Sequence, residues 1–224
     1  QLAKMWKRTI YVWPAWILRP VVRINLMLPD AGVHEIGVTH GDRDVNNLYD
    51  KFPPHLDFTA KEDKKGQANL LSMGIPIGAP FVCITARDSA YLNSHLKELN
   101  FNYHNHRDVD VQNYVLAAEE LASRGYYVLR MGAKVNEPIN SQHHMVIDYA
   151  TNGMRSDFMD IYLGAKCAFC ISCGTGFDGI AQIFRRPVAF VNHAPIGLLV
   201  TFAKNTIGIT KHHISKIDDR KLSL

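Results

Sequence analysis

Compact apolar runs separated by polar loops dominate the chain from Phe81 onward. These runs predict strands at 81–85, 126–129, 145–147, 167–172 and 188–191. Between the strands, apolar residues recur at helical spacing over 111–122 and 177–184, and a linking helix is predicted over 58–74. Alternating strands and helices predict an α/β fold with a Rossmann-like, doubly wound parallel sheet.

Polar residues at the predicted helix starts support this assignment. Asp108 or Asp110 can cap the helix over 111–122, because a carboxylate accepts hydrogen bonds from the first backbone amides. Ser156 can cap a short helix that follows it, and Asp157 and Asp160 in its first turn complement the helix dipole. The capping pattern and the apolar pattern therefore predict the same elements.

The pattern is weaker before residue 60. Short apolar pieces at 21–28 and 36–39 are broken by prolines and glycines, and no long amphipathic helix is predicted. We therefore predict two parts, an N-terminal segment over 1–59 and a larger domain over 60–224. The apolar run over 10–18 contains Pro14 and is too short to cross a bilayer.

Tryptophans and basic residues are mixed near the N-terminus. The mixture consists of Trp6, Trp13, Trp16, Lys4, Lys7, Arg8, Arg19 and Arg23. It favours a headgroup interface, which predicts peripheral contact with the inner membrane. The alternative is that these aromatic side chains pack on other parts of the protein.

Composition narrows the classes of function. The chain is 47% hydrophobic and 21% charged, which is typical of a globular domain with a sizeable core. Its formal charge is +4, but no long basic block is present, so we predict no nucleic-acid partner. The mild basicity suits phosphate-bearing small molecules or an anionic membrane face.

The cysteines and histidines predict neither a disulfide framework nor a metal site. Three of the four cysteines fall within 167–173, which indicates a reducing compartment and a cytoplasmic protein. Their spacing resembles part of an iron–sulfur motif without its fourth ligand, and burial in a strand is the favoured interpretation. The pairs His143-His144 and His212-His213 lack the spacing of a helical zinc site. No metal and no cofactor are therefore predicted.

The turn after the fourth predicted strand is the most informative local feature. Gly174, Thr175 and Gly176 lie between a strand and a helix, where bare backbone amides can face an anion such as a diphosphate. A tight turn without a ligand is the alternative. With Gly179, the turn also fits a dinucleotide fingerprint, but the next strand ends in Asn192-His193 rather than an acid, which disfavours an oxidoreductase.

Polar residues at other predicted strand ends supply candidates for binding and catalysis. Arg87, Arg107 and Arg130, with Gly132, lie at or just after strand ends, where the fixed donors of arginine suit phosphate. Surface ion pairs are the alternative for each arginine. The candidates for a general base are Asp88, His104, His106 and Asp110, and the sequence does not choose among them.

A series of short blocks carries a resemblance to a known family. The blocks are Phe81–Leu92, His106–Asp110 with Asn113-Tyr114, Gly125–Gly132, Ser156–Asp160, Cys173–Gly176, Phe184–Pro187 and Asn192–Pro195. In this order they resemble a family of bacterial surface-polysaccharide glycosyltransferases, over roughly 58–211.

The resemblance implies a GT-B enzyme, with two Rossmann-like domains and a nucleotide sugar held mainly by the second, without an essential metal. It implies transfer to a glycan or lipid-linked acceptor in polysaccharide biosynthesis. Arg87 and the Gly174 turn would neutralise the leaving diphosphate, and Arg130 would add to this effect. Asp157 or Asp160 would orient the sugar or the ribose.

The N-terminal part departs from the family, whose members have a much longer first half. The segment Trp13 to Arg23, with its Leu-Arg-Pro element, does resemble the family's start. Either an internal stretch is missing from this sequence or the protein has lost it. If it has been lost, a non-catalytic nucleotide-sugar-binding or assembly protein is the better interpretation. A sugar-nucleotide epimerase on the same two-domain plan is a further alternative.

Overall fold

The computed structural model describes residues 1–11, 13–34, 44, 46–95, 102–200 and 202–222. The apolar piece over 36–39 lies outside the described residues. The chain divides into two compact units, Gln1–Asp57 and Phe58–Leu224. The division falls two residues before the boundary that the sequence predicts.

The first unit contains short helices: α1 (Leu2–Thr9), α2 (Ala15–Asn25), a 3-10 helix (Ala31–His34) and α3 (Leu48–Lys51). The sequence did not predict α1 or α2, partly because α2 follows Pro14 and contains Pro20. Within the described residues, no helix is long and apolar enough to span a membrane.

The second unit is built on six parallel strands in the order β3-β2-β1-β4-β5-β6. They are β1 (Phe81–Thr85), β2 (Tyr127–Met131), β3 (Val146–Ile147), β4 (Phe169–Ser172), β5 (Val188–His193) and β6 (Thr206–Thr210). This arrangement confirms the predicted doubly wound α/β class. The edge strand β6 was not predicted, because its central residues are exposed and include Gly208.

Helices cover both faces of the sheet. They are α4 (Ala60–Ser72), α5 (Ala90–His95), α6 (Val115–Ser123), α7 (Asp157–Lys166) and α8 (Asp178–Ile183), with 3-10 helices at Asn102–Arg107, Val111–Tyr114 and Ile196–Leu198. Ser156 caps α7, as predicted, by accepting a hydrogen bond from the Met159 amide. Asp110 caps the 3-10 turn that precedes α6, so the predicted helix starts in a tighter conformation.

Strand alternation divides the core into two layers. Phe81 and Cys83 of β1 pack with side chains of α4, α7 and α8, whereas Val82 and Ile84 pack on the α6 face. All four cysteines are free and buried, in agreement with the core interpretation. Cys167 ends α7 rather than starting β4, because its amide still bonds to the Leu163 carbonyl.

The strand order reverses direction between β1 and β4. From β1, the chain proceeds to β2 and β3 on one side, then crosses back to β4, β5 and β6 on the other. Loops leaving the carboxyl ends of β1 and β4 therefore separate, which opens the crevice where ligands bind in folds of this type. The residues around this crevice form the candidate site.

Helices α4 and α7 pack closely at Gly66, so this position should not tolerate a larger side chain. A Cβ atom at Gly66 would overlap the Tyr162 ring. We expect Gly66→Ala to lower the free energy of unfolding by about 1–3 kcal/mol, despite the better helix propensity of alanine. Denaturant unfolding measures the change. Gly179→Ala in α8, where a Cβ meets nothing within 4 Å, is the control and should be neutral or stabilising. Equal effects of the two substitutions would contradict the packing argument.

Candidate functional site

Buried hydroxyl groups join the carboxyl ends of β1 and β4. Thr85 and Ser172 are register partners, and the Thr85 hydroxyl donates to Ser172 Oγ at 3.0 Å. The Ser172 hydroxyl donates to Asp178 Oδ2 at 2.6 Å, and the Thr175 hydroxyl donates to Thr85 Oγ1 at 3.2 Å. These residues, together with His193, are called the switch-point cluster below.

Asp178 terminates this chain of hydroxyl donors. It is the first residue of α8, it is buried, and it also accepts the Thr175 backbone amide at 2.7 Å. Burial raises the pKa of the Asp178 carboxyl, while the hydrogen bonds from Ser172 and Thr175 oppose that rise. The carboxylate therefore connects β4, the glycine turn and α8.

This arrangement corrects one expectation about the Gly174–Gly176 turn. The Gly174 amide donates to Ser172 Oγ at 3.1 Å, and the Thr175 amide donates to Asp178. Neither amide is bare, and an acidic side chain already lies at the start of α8. A diphosphate held here would therefore need donors other than these two amides.

His193 contributes a buried imidazole at the end of β5. The pairing between β5 and β6 shifts register between Phe190 and His193, and Asn192 adopts a left-handed φ of 54°. This irregularity brings the His193 ring against Phe190, with ring centroids 5.2 Å apart. His193 is 3% exposed, and both of its ring nitrogens are shielded from water.

The surroundings of His193 favour its neutral form. Burial lowers the pKa of the imidazole, Asp178 opposes this change, and Arg107 adds to it. The ring also lies directly against Gly174, whose φ is +86°. A Cβ at Gly174 would approach His193 Cε1 to 2.7 Å and Nδ1 to 2.8 Å. Glycine is therefore required by both the backbone conformation and the ring.

Two cations hold the loop over 102–108 at this edge of the sheet. Arg87, just after β1, donates to the His104 carbonyl at 3.0 Å and forms an ion pair with Asp108. Lys211, just after β6, donates to the carbonyl oxygens of His106 at 3.0 Å and Asp108 at 2.6 Å. The loop is thus fixed from both sides of the crevice.

Arg107 connects this loop to the glycine turn. Its Nη2 donates to the Gly174 carbonyl at 2.9 Å, and its buried Nε has no hydrogen-bond partner in the described part of the chain. Lys211 is a backbone neighbour of the cluster, because its amide donates to the His193 carbonyl at 3.1 Å. Arg87, Arg107 and Lys211 therefore concentrate positive charge beside the switch-point cluster.

Arg130 lies apart from this group. It is 1% exposed and pairs in register with Ile84, on the α6 face of the sheet, whereas Ser172 lies on the opposite face. Its Nη1 is 3.6 Å from Asp148 Oδ1, and burial lowers its pKa while Asp148 opposes the change. The structure therefore does not bring Arg130 together with the Gly174 turn.

Gly132 follows β2 and has a packing role in the structure. A Cβ at this position would overlap a methyl group of Val135, so the loop after β2 folds tightly over the glycine. This contact accounts for the glycine without a ligand. Its predicted part in phosphate binding has no further geometric support.

The predicted carboxylate bases both support backbone structure. Asp88 accepts the Ala90 amide at 3.0 Å through Oδ1 and the Asn136 amide at 2.8 Å through Oδ2. Asp110 accepts the Gln112 amide at 2.8 Å as the cap described above. Both carboxylates are therefore engaged with backbone amides, Asp88 with two and Asp110 with the start of a helix.

The two loop histidines differ in their surroundings. The His104 ring packs on Tyr103 with centroids 4.0 Å apart, and its pKa is lowered by desolvation and by the charges of Arg87 and Arg107. His106 is exposed, and its Nδ1 lies 2.9 Å from the Tyr103 carbonyl. His104 is therefore the candidate base whose neutral form is favoured by its neighbours.

The two acids at the start of α7 are also distinct. Asp160 accepts the Tyr149 hydroxyl at 3.1 Å and Arg155 Nη2 at 2.6 Å, and burial raises the pKa of its carboxyl. The Asp157 side chain is 92% exposed and lies 3.5 Å from Arg155. Asp157 is thus the acid at this helix end that is presented to solvent.

Sequence patterns missed much of the cluster. Of the five buried polar or charged residues in the described chain, four belong to it: Thr85, Ser172, Asp178 and His193. The sequence did contain one indication of the cluster: a hydroxyl residue ends each of the two apolar strands that flank the reversal of the strand order. Within the described residues, no group of three or more side chains suited to a metal ion is present.

Substitution of Gly174 separates backbone strain from the contact with His193. Gly174→Ala should reduce the free energy of unfolding by about 1–2 kcal/mol for the left-handed backbone, plus about 1–3 kcal/mol for overlap with the ring. Gly125→Ala, at φ +90° with open space, is the control and carries only the first cost. Adding His193→Ala should remove the overlap, so the loss of unfolding free energy caused by Gly174→Ala in that background should approach the loss caused by Gly125→Ala. Equal costs at Gly174 and Gly125, measured by denaturant unfolding, would exclude the ring contact.

The buried imidazole also predicts a pH dependence of stability. The pKa of His193 in the folded chain is below its usual value of 6.5. As the pH falls through 6.5, the imidazole is therefore protonated in the unfolded chain but still neutral in the folded chain, which favours unfolding. Unfolding free energy should therefore decrease from pH 7 downward, and His193→Gln should flatten the slope. The control is His144→Gln, at an exposed position. Equal slopes for the wild type and the His193 variant would count against a buried, neutral ring.

Comparisons with known proteins add a likeness in fold. No protein-family profile and no curated protein matches this sequence. One similar solved structure is the ADP-heptose LPS heptosyltransferase II of E. coli, with 12% identity and a TM-score of 0.44 over 69% of this chain and 44% of that chain. Another is the iron-containing dodecameric glycosyltransferase TibC of enterotoxigenic E. coli H10407, with 15% identity and a TM-score of 0.40 over 65% of this chain and 37% of that chain. The chain thus spans less than half the length of either protein.

Proposed function

We propose that this chain binds a nucleotide-diphosphate sugar at the carboxyl edge of its sheet and forms the donor side of a metal-independent glycosyltransferase. The observation that carries the proposal is the set of three cations, Arg87, Arg107 and Lys211, around the loop over 102–108. Arg87 follows β1, where the strand order reverses, and Lys211 and Arg87 hold the same loop that carries Arg107. This reversal is the usual ligand crevice of a doubly wound sheet. The ordered sequence blocks that resemble surface-polysaccharide glycosyltransferases support the same conclusion.

The leaving diphosphate is assigned to the cations rather than to the glycine turn. The Gly174 and Thr175 amides are used within the chain, and Asp178 would repel an anion at the start of α8. Guanidinium groups supply several donors in a fixed plane and remain charged, so Arg107 and Arg87 suit an oxyanion that gains charge. Their positions are fixed by existing hydrogen bonds, which limits reorganisation during the reaction.

Transfer to an acceptor hydroxyl requires one bond to form and one to break. The acceptor oxygen attacks the anomeric carbon, the bond from that carbon to the diphosphate oxygen breaks, and the nucleoside diphosphate leaves with the electron pair. The acceptor proton passes to a base. We assign this role to His104, because desolvation and the neighbouring arginines favour its neutral form.

A non-catalytic nucleotide-sugar-binding protein is the second candidate. One observation favours it: Asp88 and Asp110, two of the predicted bases, accept backbone hydrogen bonds that hold loops in place. Such a protein would use the same cations and the same crevice. Donor binding is therefore common to the two candidates, and turnover separates them.

Donor binding is tested by calorimetry with a panel of uridine, guanosine, cytidine, thymidine and adenosine sugar nucleotides. We expect one base class to bind selectively. Arg107→Gln should weaken this binding roughly tenfold or more, because it removes a charge-assisted hydrogen bond to phosphate. Arg124→Gln is the matched control: Arg124 is exposed at the end of α6, just before β2, and so lies at the opposite edge of the sheet.

Two results would overturn the proposal. One is the absence of binding by every nucleotide in the panel, and the other is equal weakening by the Arg107 and Arg124 substitutions. Release of nucleoside diphosphate only when a glycan or lipid-linked acceptor is added would identify a transferase. Binding without turnover would favour the second candidate, and release without acceptor would indicate hydrolysis.

A further inference from the structure

Helix α2 exposes apolar side chains over most of its circumference. None of its residues is buried, and Trp16 is 74% exposed. The residues that follow it continue the pattern, with Leu26 57% and Met27 85% exposed. A helix that is apolar on most of its surface normally lies in a core or in lipid, because water disfavours so much contiguous apolar area.

Helix α1 differs from α2 in this respect. Its Met5 is 1% exposed, and its end is attached to the segment before the second unit. The Arg8 side chain donates to the Asp57 carbonyl at 3.0 Å, and the Thr9 hydroxyl contacts the His55 carbonyl at 3.5 Å. The predicted mixture of tryptophans and basic residues is therefore divided between α1 and α2, and α2 carries Trp16, Arg19 and Arg23 at exposed positions.

A groove along α2 combines apolar walls with positive charge. It has a volume of about 510 Å³. Its lining consists of Trp13, Ala15, Leu18, Arg19, Val22 and Arg23. Arg19 and Arg23 are four residues apart, so their guanidinium groups lie on one side of the helix.

Charge along this stretch has one dominant sign. Between Gln1 and Val33 the chain has five basic residues, Lys4, Lys7, Arg8, Arg19 and Arg23, and one acidic residue, Asp30. An apolar helix with arginines and flanking tryptophans is complementary to a surface that presents phosphates above hydrocarbon. The surface of an ordinary protein partner does not present a layer of phosphates above a layer of hydrocarbon.

We propose that α2 and Trp13 form a docking surface for an anionic lipid bilayer. The helix lies in the plane of the membrane, with Leu18 and Val22 in the interfacial hydrocarbon and with Arg19 and Arg23 at the lipid phosphates. Eleven residues are too few to cross the bilayer, which agrees with an in-plane position. The surface belongs to the first unit, whereas the proposed nucleotide site belongs to the second.

Vesicle co-sedimentation of the full chain tests the proposal. We expect binding to vesicles of phosphatidylcholine mixed with phosphatidylglycerol, weak binding to phosphatidylcholine alone, and loss of binding at high salt. Arg19→Gln with Arg23→Gln should weaken binding about 25-fold, as each basic residue near an anionic surface contributes about fivefold. Lys61→Gln with Lys64→Gln, at exposed positions of α4, is the charge-matched control and should have little effect.

A second pair of variants tests insertion. Leu18→Ser with Val22→Ser should weaken vesicle binding roughly tenfold or more, because two apolar side chains no longer leave water. The control pair is Leu116→Ser with Ile217→Ser, since these side chains are 82% and 97% exposed in the other unit. Circular dichroism and denaturant unfolding without lipid establish that each variant is folded.

Several outcomes would overturn the docking surface. They are equal binding to neutral and anionic vesicles, equal effects of the test and control pairs, and no vesicle binding at all. Light scattering without lipid provides a further check. If the chain is a dimer that Leu18→Ser with Val22→Ser dissociates, a second copy covers α2 and the lipid proposal fails. Because donor binding is measured without vesicles, either proposal can fail while the other stands.

Discussion

A single line of hydrogen bonds connects the structure at the point where the strand order reverses. The hydroxyl of Thr175 donates to Thr85, Thr85 donates to Ser172, and Ser172 donates to the buried carboxylate of Asp178. Each donor polarises the next, so the chain is stronger than its separate bonds. It joins the ends of β1 and β4 at the one place where the loops separate, and it fixes the turn that leads into α8.

The arrangement around this line of hydroxyls determines what the site can bind. Since the Gly174 and Thr175 amides donate within the chain, the turn is a rigid support, and an anion at this edge of the sheet would need donors from side chains. Arg107 rests on the Gly174 carbonyl, and Arg87 and Lys211 hold the loop that carries it. The positively charged side chains are thereby held in fixed positions by hydrogen bonds within the chain, and such preorganisation favours recognition of an anion.

The two units present different chemistry. The second unit joins Thr85, Ser172 and Asp178 by hydrogen bonds and packs two apolar layers on its sheet. In the first unit, α2 leaves apolar side chains exposed beside Arg19 and Arg23. A donor site on one unit and a lipid-facing helix on the other would suit an enzyme that acts on a membrane-associated acceptor, and the two activities can be measured independently.

The sequence by itself determined the fold class, β1 in full, most of the other strands and the cap at Ser156, and it limited the cap before α6 to Asp108 or Asp110. Apolar periodicity and capping are local, so a single stretch of chain records them. It also identified Arg87, Arg107 and the Gly174 turn as lying at one edge, because parallel strands align their carboxyl ends. It did not determine that Asp178 would occupy the turn amides, that Arg130 would lie on the opposite face, or that Lys211 would join the site through an unpredicted edge strand. Only the tertiary structure decided these points, together with the bulge that turns His193 toward Phe190, because each depends on register and on contacts between residues far apart in the chain.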